Sequence, residues 1–313
     1  MTPKLKKNIP LIVILGPTAV GKTELSIQLA ERWGGEIVSA DSRLFYKGMD
    51  IGTAKPTPTE RARVPHHLID VANPDEVWSL ALYLQEAQKI IYEIHQRGNL
   101  PFLVGGTGQY IQALVEGWRI PRVEPDPALR EVLRAWAEEL GPEGLRARLA
   151  VLDPDAAAGI DGPNIRRMIR ALEVILRSGE LFSTQKGQGP TPYHVLRLGL
   201  TRPRQELYER IDLRIQNMLK DGFIEEVKAL LAKGYSPKLP PLSAIGYRQI
   251  IHYLNEVITL EEAVRQMESR TRKFVRRQAN WFQADDPKIH WFRVSKNTLT
   301  EIEHEIKDFL GNI

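Results

Sequence analysis

Gly16-Pro17-Thr18-Ala19-Val20-Gly21-Lys22-Thr23 fits the G-x-x-x-x-G-K-[ST] pattern of a phosphate-binding loop. Its glycines let the backbone amides of Gly16, Thr18, Ala19, Val20 and Gly21 curl around phosphate oxygens, and a helix beginning at Lys22 presents its N-terminus to the same anion. Lys22 adds a mobile positive charge, and the Thr23 hydroxyl is a ligand for Mg²⁺. A loop of this kind by itself implies nucleotide hydrolysis or phosphoryl transfer. Those reactions usually need an acid at the end of a second strand to hold the metal. The obvious strand, 100–104, ends in Gly105-Gly106-Thr107 instead. The only acid ending an early strand is Asp41, in Ser39-Ala40-Asp41-Ser42. Parallel sheets gather ligands at the carboxyl ends of their strands, so Asp41 should face the same crevice as Lys22. Three roles are open to it there: metal partner, general base, or cap of the following turn.

These residues need a scaffold, and the hydrophobic pattern supplies one. Residues 11–15 form a continuous apolar run closed by Gly16 and Pro17, as expected of a strand buried on both faces. A helix is predicted over 22–33, strands over 36–40 and 100–104, and a helix over about 79–96 between them. That alternation predicts an α/β chain with a P-loop NTPase-like, doubly wound parallel sheet. From Trp118 the character changes. Pro121, Pro125 and Pro127 punctuate, alanine- and leucine-rich helical patterns run through Leu152, and a helix over 164–177 is stopped by Gly179. Gly187, Gly189, Pro190 and Pro192 then make a loop before a strand over 194–200. The expected organisation is a catalytic core over 1–117 and 186–313 with a helical insertion domain over 118–185. Further helices are predicted near 204–219, 224–233 and 260–282, the last with Val264, Met267, Phe274 and Trp281 as its core-facing stripe.

Composition narrows the classes of function. The 313 residues are 42% hydrophobic and 26% charged, ordinary globular proportions, and no apolar stretch approaches the roughly 18 residues needed to cross a bilayer. There is no cysteine, which excludes disulfides, thiolate metal sites and cysteine nucleophiles and suits a reducing cytoplasm. Lys4, Lys6 and Lys7 precede an apolar run in the manner of a leader peptide, but Pro10 interrupts the run, which reads as the first strand. Net charge is +4; residues 201–280 alone carry 15 basic and 10 acidic side chains, so the excess sits in the C-terminal third and points to a polyanionic partner.

Several ordered segments together resemble one family, the tRNA dimethylallyltransferases (tRNA isopentenyltransferases). They are the Gly16–Thr23 loop, Ser39-Ala40-Asp41-Ser42, Tyr46-Lys47-Gly48-Met49-Asp50-Ile51-Gly52-Thr53-Ala54-Lys55, Pro65-His66-His67-Leu68, Val104-Gly105-Gly106-Thr107, Arg170-Ala171-Leu172-Glu173-Val174, Gly246-Tyr247-Arg248-Gln249, and Arg277-Gln278 with Trp281-Phe282. The resemblance implies transfer of a dimethylallyl group from dimethylallyl diphosphate to the 6-amino group of adenosine 37, with Mg²⁺ as cofactor and the tRNA anticodon stem-loop as partner. Without cysteines for an added zinc finger, the chain resembles the bacterial form, expected to be a cytoplasmic monomer. The chemistry suits the loop, because diphosphate departs from an allylic carbon and its growing charge needs amides, Lys22, Thr23 and a metal more than a hydrolytic partner. It also favours Asp41 as the base that takes a proton from the amine.

By the same resemblance Asp41, Ser42, Arg43, Leu44 and Thr107 meet the target nucleotide. Arg130, Arg166, Arg167 and Arg170 are candidates for holding the anticodon loop, and Gly246, Tyr247 and Arg248 for further tRNA contact. Taken alone, those four arginines read more often as solvated helix charges. Arg210 and Arg214, one helical turn apart, are placed to reach the diphosphate; the alternative is a surface ladder with Glu206. His66 and His67 lack a nearby third ligand and are read as packing or hydrogen-bonding residues. In the last long helix, Arg272 and Arg276 are expected on one exposed flank and Arg270, Lys273 and Arg277 on another, a basic surface for tRNA phosphates. Two other functions compete: a small-molecule kinase, against which the C-terminal charge argues, and a nonenzymatic RNA-binding switch, against which the missing strand-end acid argues.

Overall fold

The computed structural model describes residues 8–121, 123–185 and 187–312, so Lys4, Lys6 and Lys7 lie outside the described residues. The chain divides into two compact units, one of residues 1–115 and 191–313, the other of residues 116–190.

The first unit begins with β1 (Ile9–Leu15), α1 (Lys22–Arg32), β2 (Gly35–Ser39), α2 (Pro58–Arg63), β3 (His66–His67), α3 (Leu80–Gln96), β4 (Leu100–Gly105) and α4 (Gly108–Val115). The second unit holds β5 (Trp118–Arg119), α5 (Pro127–Leu152), α6 (Pro154–Ala158), α7 (Ile165–Ser178), α8 (Phe182–Gln185) and β6 (Gly187–Gln188). The chain then returns through β7 (Tyr193–Thr201), α9 (Arg204–Lys220), α10 (Phe223–Ala232), α11 (Tyr247–Leu254), α12 (Leu260–Gln278), β8 (Ile289–Arg293) and α13 (Thr298–Gly311).

Six strands form one parallel sheet in the order β3-β2-β4-β1-β7-β8. β1 lies between β4 and β7, and Ile9 and Leu11 through Leu15 are fully buried, which is why its sequence is apolar without alternation. This is the doubly wound, P-loop-like sheet that the strand-helix alternation predicts. The chain reaches β2 before β4, and β7 pairs on the other side of β1, so strand order reverses around β1 and opens a crevice at its carboxyl end.

The second unit is helical. α5 and α7 enclose Leu133, Leu145, Leu149, Met168 and Leu172, all at most 1% exposed. α5 is interrupted at Gly141, whose φ of 68° lies in the left-handed region and precedes Pro142. A short antiparallel pair, β5 with β6, closes the base of this unit.

Some elements escape the hydrophobic pattern. β3 is two residues long, and β8, at the sheet edge, has the half-polar sequence Ile-His-Trp-Phe-Arg. α12 ends at Gln278, four residues short of its predicted end. The stripe expected on it is also corrected. Met267 is buried, but Phe274 is 39% and Trp281 38% exposed. The buried positions are Ala263, Met267, Val275 and Gln278, because the C-terminal turn rotates its inner face toward the loop after β1.

Candidate active site

The phosphate loop leaves β1 at Leu15 and enters α1 at Lys22. Gly16 has φ 146° and a Cβ there would stand 2.6 Å from the Leu200 carbonyl oxygen, so neither the conformation nor the space admits a side chain. Ala19, at φ 67°, takes a left-handed conformation that costs a non-glycine residue free energy. The loop is held open from its carbonyl side. Arg210 Nε donates to Ala19 O at 2.7 Å, Arg202 Nε donates to Val20 O at 2.8 Å, and Lys22 Nζ donates to Gly16 O and Pro17 O at 3.0 and 2.8 Å. Glu206 pairs with Arg202 instead of Arg210, against the alternative of a surface ladder.

Around this loop lies a cavity of about 380 Å³. Thr18, Ala19, Gly21, Lys22, Thr23, Asp41, Arg210 and Arg214 line it, together with the apolar side chains of Ile37, Leu44, Pro56, Ile69, Val104 and Leu213. Burial lowers the Lys22 ammonium to about 8, with Asp41 opposing the shift and Arg214 adding to it. Burial likewise lowers the Arg214 guanidinium, against the attraction of Asp41. The wall thus presents two cations that desolvation makes costly, and Arg214 makes no hydrogen bond to any described residue. An anion entering the cavity relieves that cost.

Asp41 lies two residues beyond the end of β2. Its Oδ1 accepts the Arg43 N–H at 3.0 Å, so one oxygen caps the turn, while the carboxylate still acts on both Lys22 and Arg214. Thr107 comes to the same turn: its Oγ1 accepts the Ser42 N–H at 3.3 Å and its own N–H donates to Ala40 O at 3.2 Å. Arg43 reaches away to the Pro240 carbonyl, and Leu44 lines the cavity. For a metal, the lining offers the Thr23 hydroxyl and the Asp41 carboxylate, with Glu24 and Glu60 as further carboxylates, and the described residues contain no cluster of three or more acidic, histidine or cysteine ligands. A sparse oxygen set of this kind fits Mg²⁺, which keeps most of its water and substrate oxygens.

The remaining candidates separate. Arg166 and Arg167 are exposed on α7 of the second unit. Arg130 and Arg170 are not free: the former donates through Nε and Nη2 to the two oxygens of Glu173 at 2.8 Å each, and the latter donates to Glu173 Oε2 at 2.6 Å and to Val123 O at 2.8 Å. Glu173 is fully buried and these two arginines are its counterions, each keeping about 30% of its side-chain exposure. Tyr247 is fully buried and Gly246 buried, and the Tyr247 hydroxyl donates to Glu226 at 2.6 Å; only Arg248 of that trio is exposed. On α12, Lys273, Arg276 and Arg277 are exposed, but Arg272 is bound to Asp212 at 2.6–2.7 Å with its guanidinium 5.2 Å from the Tyr208 ring centre. The flank expected from Arg272 and Arg276 therefore reduces to Arg276. His66 donates through Nδ1 to Val64 O, and His67 bonds Glu36 at 2.6 Å, in keeping with hydrogen-bonding roles.

Three contributors have no local signature in the sequence. Arg202 braces the loop from the end of β7, and Gln278 receives the Thr18 N–H at 2.9 Å. Glu226 on α10 accepts the N–H groups of Asp50, Ile51 and Gly52 at 2.7–3.1 Å, fixing the segment that leads to cavity residues Thr53, Ala54 and Pro56. The family resemblance includes Gln278 and the segment 50–52 without assigning either a role.

Known proteins resemble this chain over most of its length. The IPP transferase family pattern matches residues 44–285, and an isopentenyl transferase pattern matches residues 9–70. A tRNA dimethylallyltransferase of Roseiflexus sp. (strain RS-1) is 54% identical over 274 residues, covering 88% of this chain and 90% of the relative. The crystal structure of full-length tRNA isopentenylpyrophosphate transferase from Bacillus halodurans superposes with a TM-score of 0.73 at 40% identity, covering 97% of this chain and 98% of that one. A eukaryotic dimethylallyltransferase acting on tRNA gives a TM-score of 0.79 at 28% identity, over 98% of this chain and 80% of its own. The family pattern spans more than half of the chain and the relatives match nearly its full length, and the chain belongs to the tRNA dimethylallyltransferase family.

Proposed function

We propose that the chain transfers the dimethylallyl group of dimethylallyl diphosphate to the 6-amino group of adenosine 37 in the tRNA anticodon loop. The observation that carries this reading is the cavity itself, in which a phosphate loop and largely uncompensated cations stand beside apolar walls and Asp41, the lining carboxylate that acts on both cations. Phosphates suit the first, a five-carbon chain the second, and an amine proton the third.

In the reaction, the adenine nitrogen attacks the allylic carbon, the carbon–oxygen bond to diphosphate breaks, and the amine proton goes to Asp41. An exocyclic adenine amine is a poor nucleophile, so proton removal as the C–N bond forms is where a base contributes most. The amides of Thr18 to Thr23, Lys22 and Arg214 stabilise the charge developing on the departing diphosphate. The Thr23 hydroxyl would help to hold Mg²⁺, which would supply Lewis-acid stabilisation of the same charge. The target base must leave its stack to reach a walled site, and the Asp41–Leu44 turn with Thr107 receives it. Exposed Arg166, Arg167, Arg248, Lys273, Arg276 and Arg277 are the cations left to bind backbone phosphates. No helix of the described residues is long and apolar enough to cross a membrane, and the reading places the chain as a monomer in the cytoplasm, where its RNA substrate is.

Incubation with labelled dimethylallyl diphosphate and unmodified tRNA, followed by nucleoside analysis, tests the proposal. Label in isopentenyladenosine at position 37 is the expected result. Tight ATP binding with phosphoryl transfer to a small molecule, and no RNA labelling, would replace it with the kinase reading.

A further inference from the structure

Gln278, the last residue of α12, is 5% exposed, and both ends of its amide are engaged with residues far away in sequence. Its Oε1 accepts the Thr18 N–H at 2.9 Å, and its Nε2 donates to Gly106 O at 3.0 Å. A backbone N–H can only donate and a carbonyl can only accept, so one amide orientation satisfies both partners. The fit is close: a Cβ on Gly106 would stand 2.4 Å from Nε2.

The two partners belong to different halves of the site. Thr18 lies in the phosphate loop. Gly106 precedes Thr107, whose hydroxyl and amide fix the turn that carries Asp41. We propose that Gln278 is a positioning residue for prenyl transfer, bridging Thr18 and Gly106 so that the loop holding the donor diphosphate and the turn holding the acceptor nitrogen keep their mutual geometry. The inference rests on the prenyl-transfer reading above. A neutral amide is required for this bridge, because a carboxylate would set a second oxygen against the Gly106 carbonyl and place negative charge beside the diphosphate, and an aliphatic group would release both partners.

Steady-state kinetics on the full chain with dimethylallyl diphosphate and unmodified tRNA test the bridge in Gln278→Glu and Gln278→Leu, each first checked by thermal unfolding. Both variants should raise KM for the donor about tenfold or more and lower kcat, while KM for tRNA stays within about twofold of wild type. A purely structural role would lower the active fraction, and with it apparent kcat, but leave donor KM unchanged; that pattern in either folded variant overturns the proposal. Wild-type protein that takes no prenyl group from the donor overturns the functional reading and this inference with it. Wild-type transfer combined with an unmoved donor KM in the variants overturns this inference alone.

Discussion

Lys22 and Arg214 in the first unit, and Arg130 and Arg170 in the second, are all cations drawn partly out of water. Arg130 and Arg170 close on Glu173, which is fully buried, and the hydrogen bonds they donate hold its carboxyl below the usual range despite the opposing effect of burial. Lys22 donates only to neutral carbonyls and Arg214 to nothing among the described residues, so their charge is left largely uncompensated, with Asp41 as a nearby but shared influence. Charge balanced within the protein stabilises a fold. Charge left unbalanced at a cavity wall costs stability and is a reason to look for an anionic ligand.

The largest expected effect lies in the carboxylate on the uncompensated side. Asp41→Asn should lower kcat by roughly 10²–10⁴ with tRNA affinity nearly intact, as read by single-turnover transfer and by equilibrium RNA binding. Unchanged turnover would remove Asp41 from the chemistry. Lys22→Ala should lower kcat/KM for the donor by roughly 10²–10³, yet leave folding stability equal or greater, because the charge it deletes has no counterion. A large drop in stability in that variant would place Lys22 with the balanced pair.

Glu173→Ala should do the reverse. Removing the buried partner strands two guanidiniums, at a cost of about 3 kcal/mol, the low end for such pairs because both arginines keep about 30% of their exposure. Denaturant unfolding would register the change, while transfer per folded molecule should be unaltered. A variant that unfolds normally but fails to bind tRNA would return Arg130 and Arg170 to RNA recognition.

A smaller effect follows from pH. Burial puts Lys22 near 8, so in the free enzyme it loses its proton as pH rises through that value. Donor kcat/KM should then fall, approaching tenfold per pH unit, and Lys22→Ala should abolish that limb. The sign for stability is opposite: between about 8 and the ordinary lysine value of 10.5 the unfolded chain holds the extra proton, so rising pH relieves the native state. The smallest effect belongs to the exposed helix. Lys273 and Arg276 replaced together by alanine should reduce the slope of log tRNA affinity against log salt by about one unit for each phosphate that is no longer neutralised. Arg272 is unsuited to that test because its removal also breaks the tie to Asp212.

The contrast between the two sets of cations also marks how far the sequence could be read. β1 and β4 are legible because buried parallel strands need nearly continuous apolar runs, β2 and β7 because their apolar residues still dominate between turn signals, and the phosphate loop because its glycine and lysine spacing is imposed by local backbone geometry. β3 and β8 are not, since edge strands tolerate histidine and arginine. Spacing on a helix cannot distinguish Arg130 from Arg214, because a counterion 43 residues away decides the first and a cavity formed at the strand ends decides the second. Gln278 lies 260 residues from Thr18, and Arg202 lies 182 from Val20, so neither hydrogen bond leaves any periodic trace.

Competition between dimethylallyl diphosphate and ATP for the wild-type protein and for Lys22→Ala, followed by direct calorimetric titration with Mg²⁺ present, tests the central claim most directly. Dimethylallyl diphosphate should bind more tightly than ATP, and Lys22→Ala should weaken it by at least about tenfold. Tighter binding of ATP, or a donor affinity indifferent to Lys22, would contradict the assignment of the unbalanced cations to an allylic diphosphate.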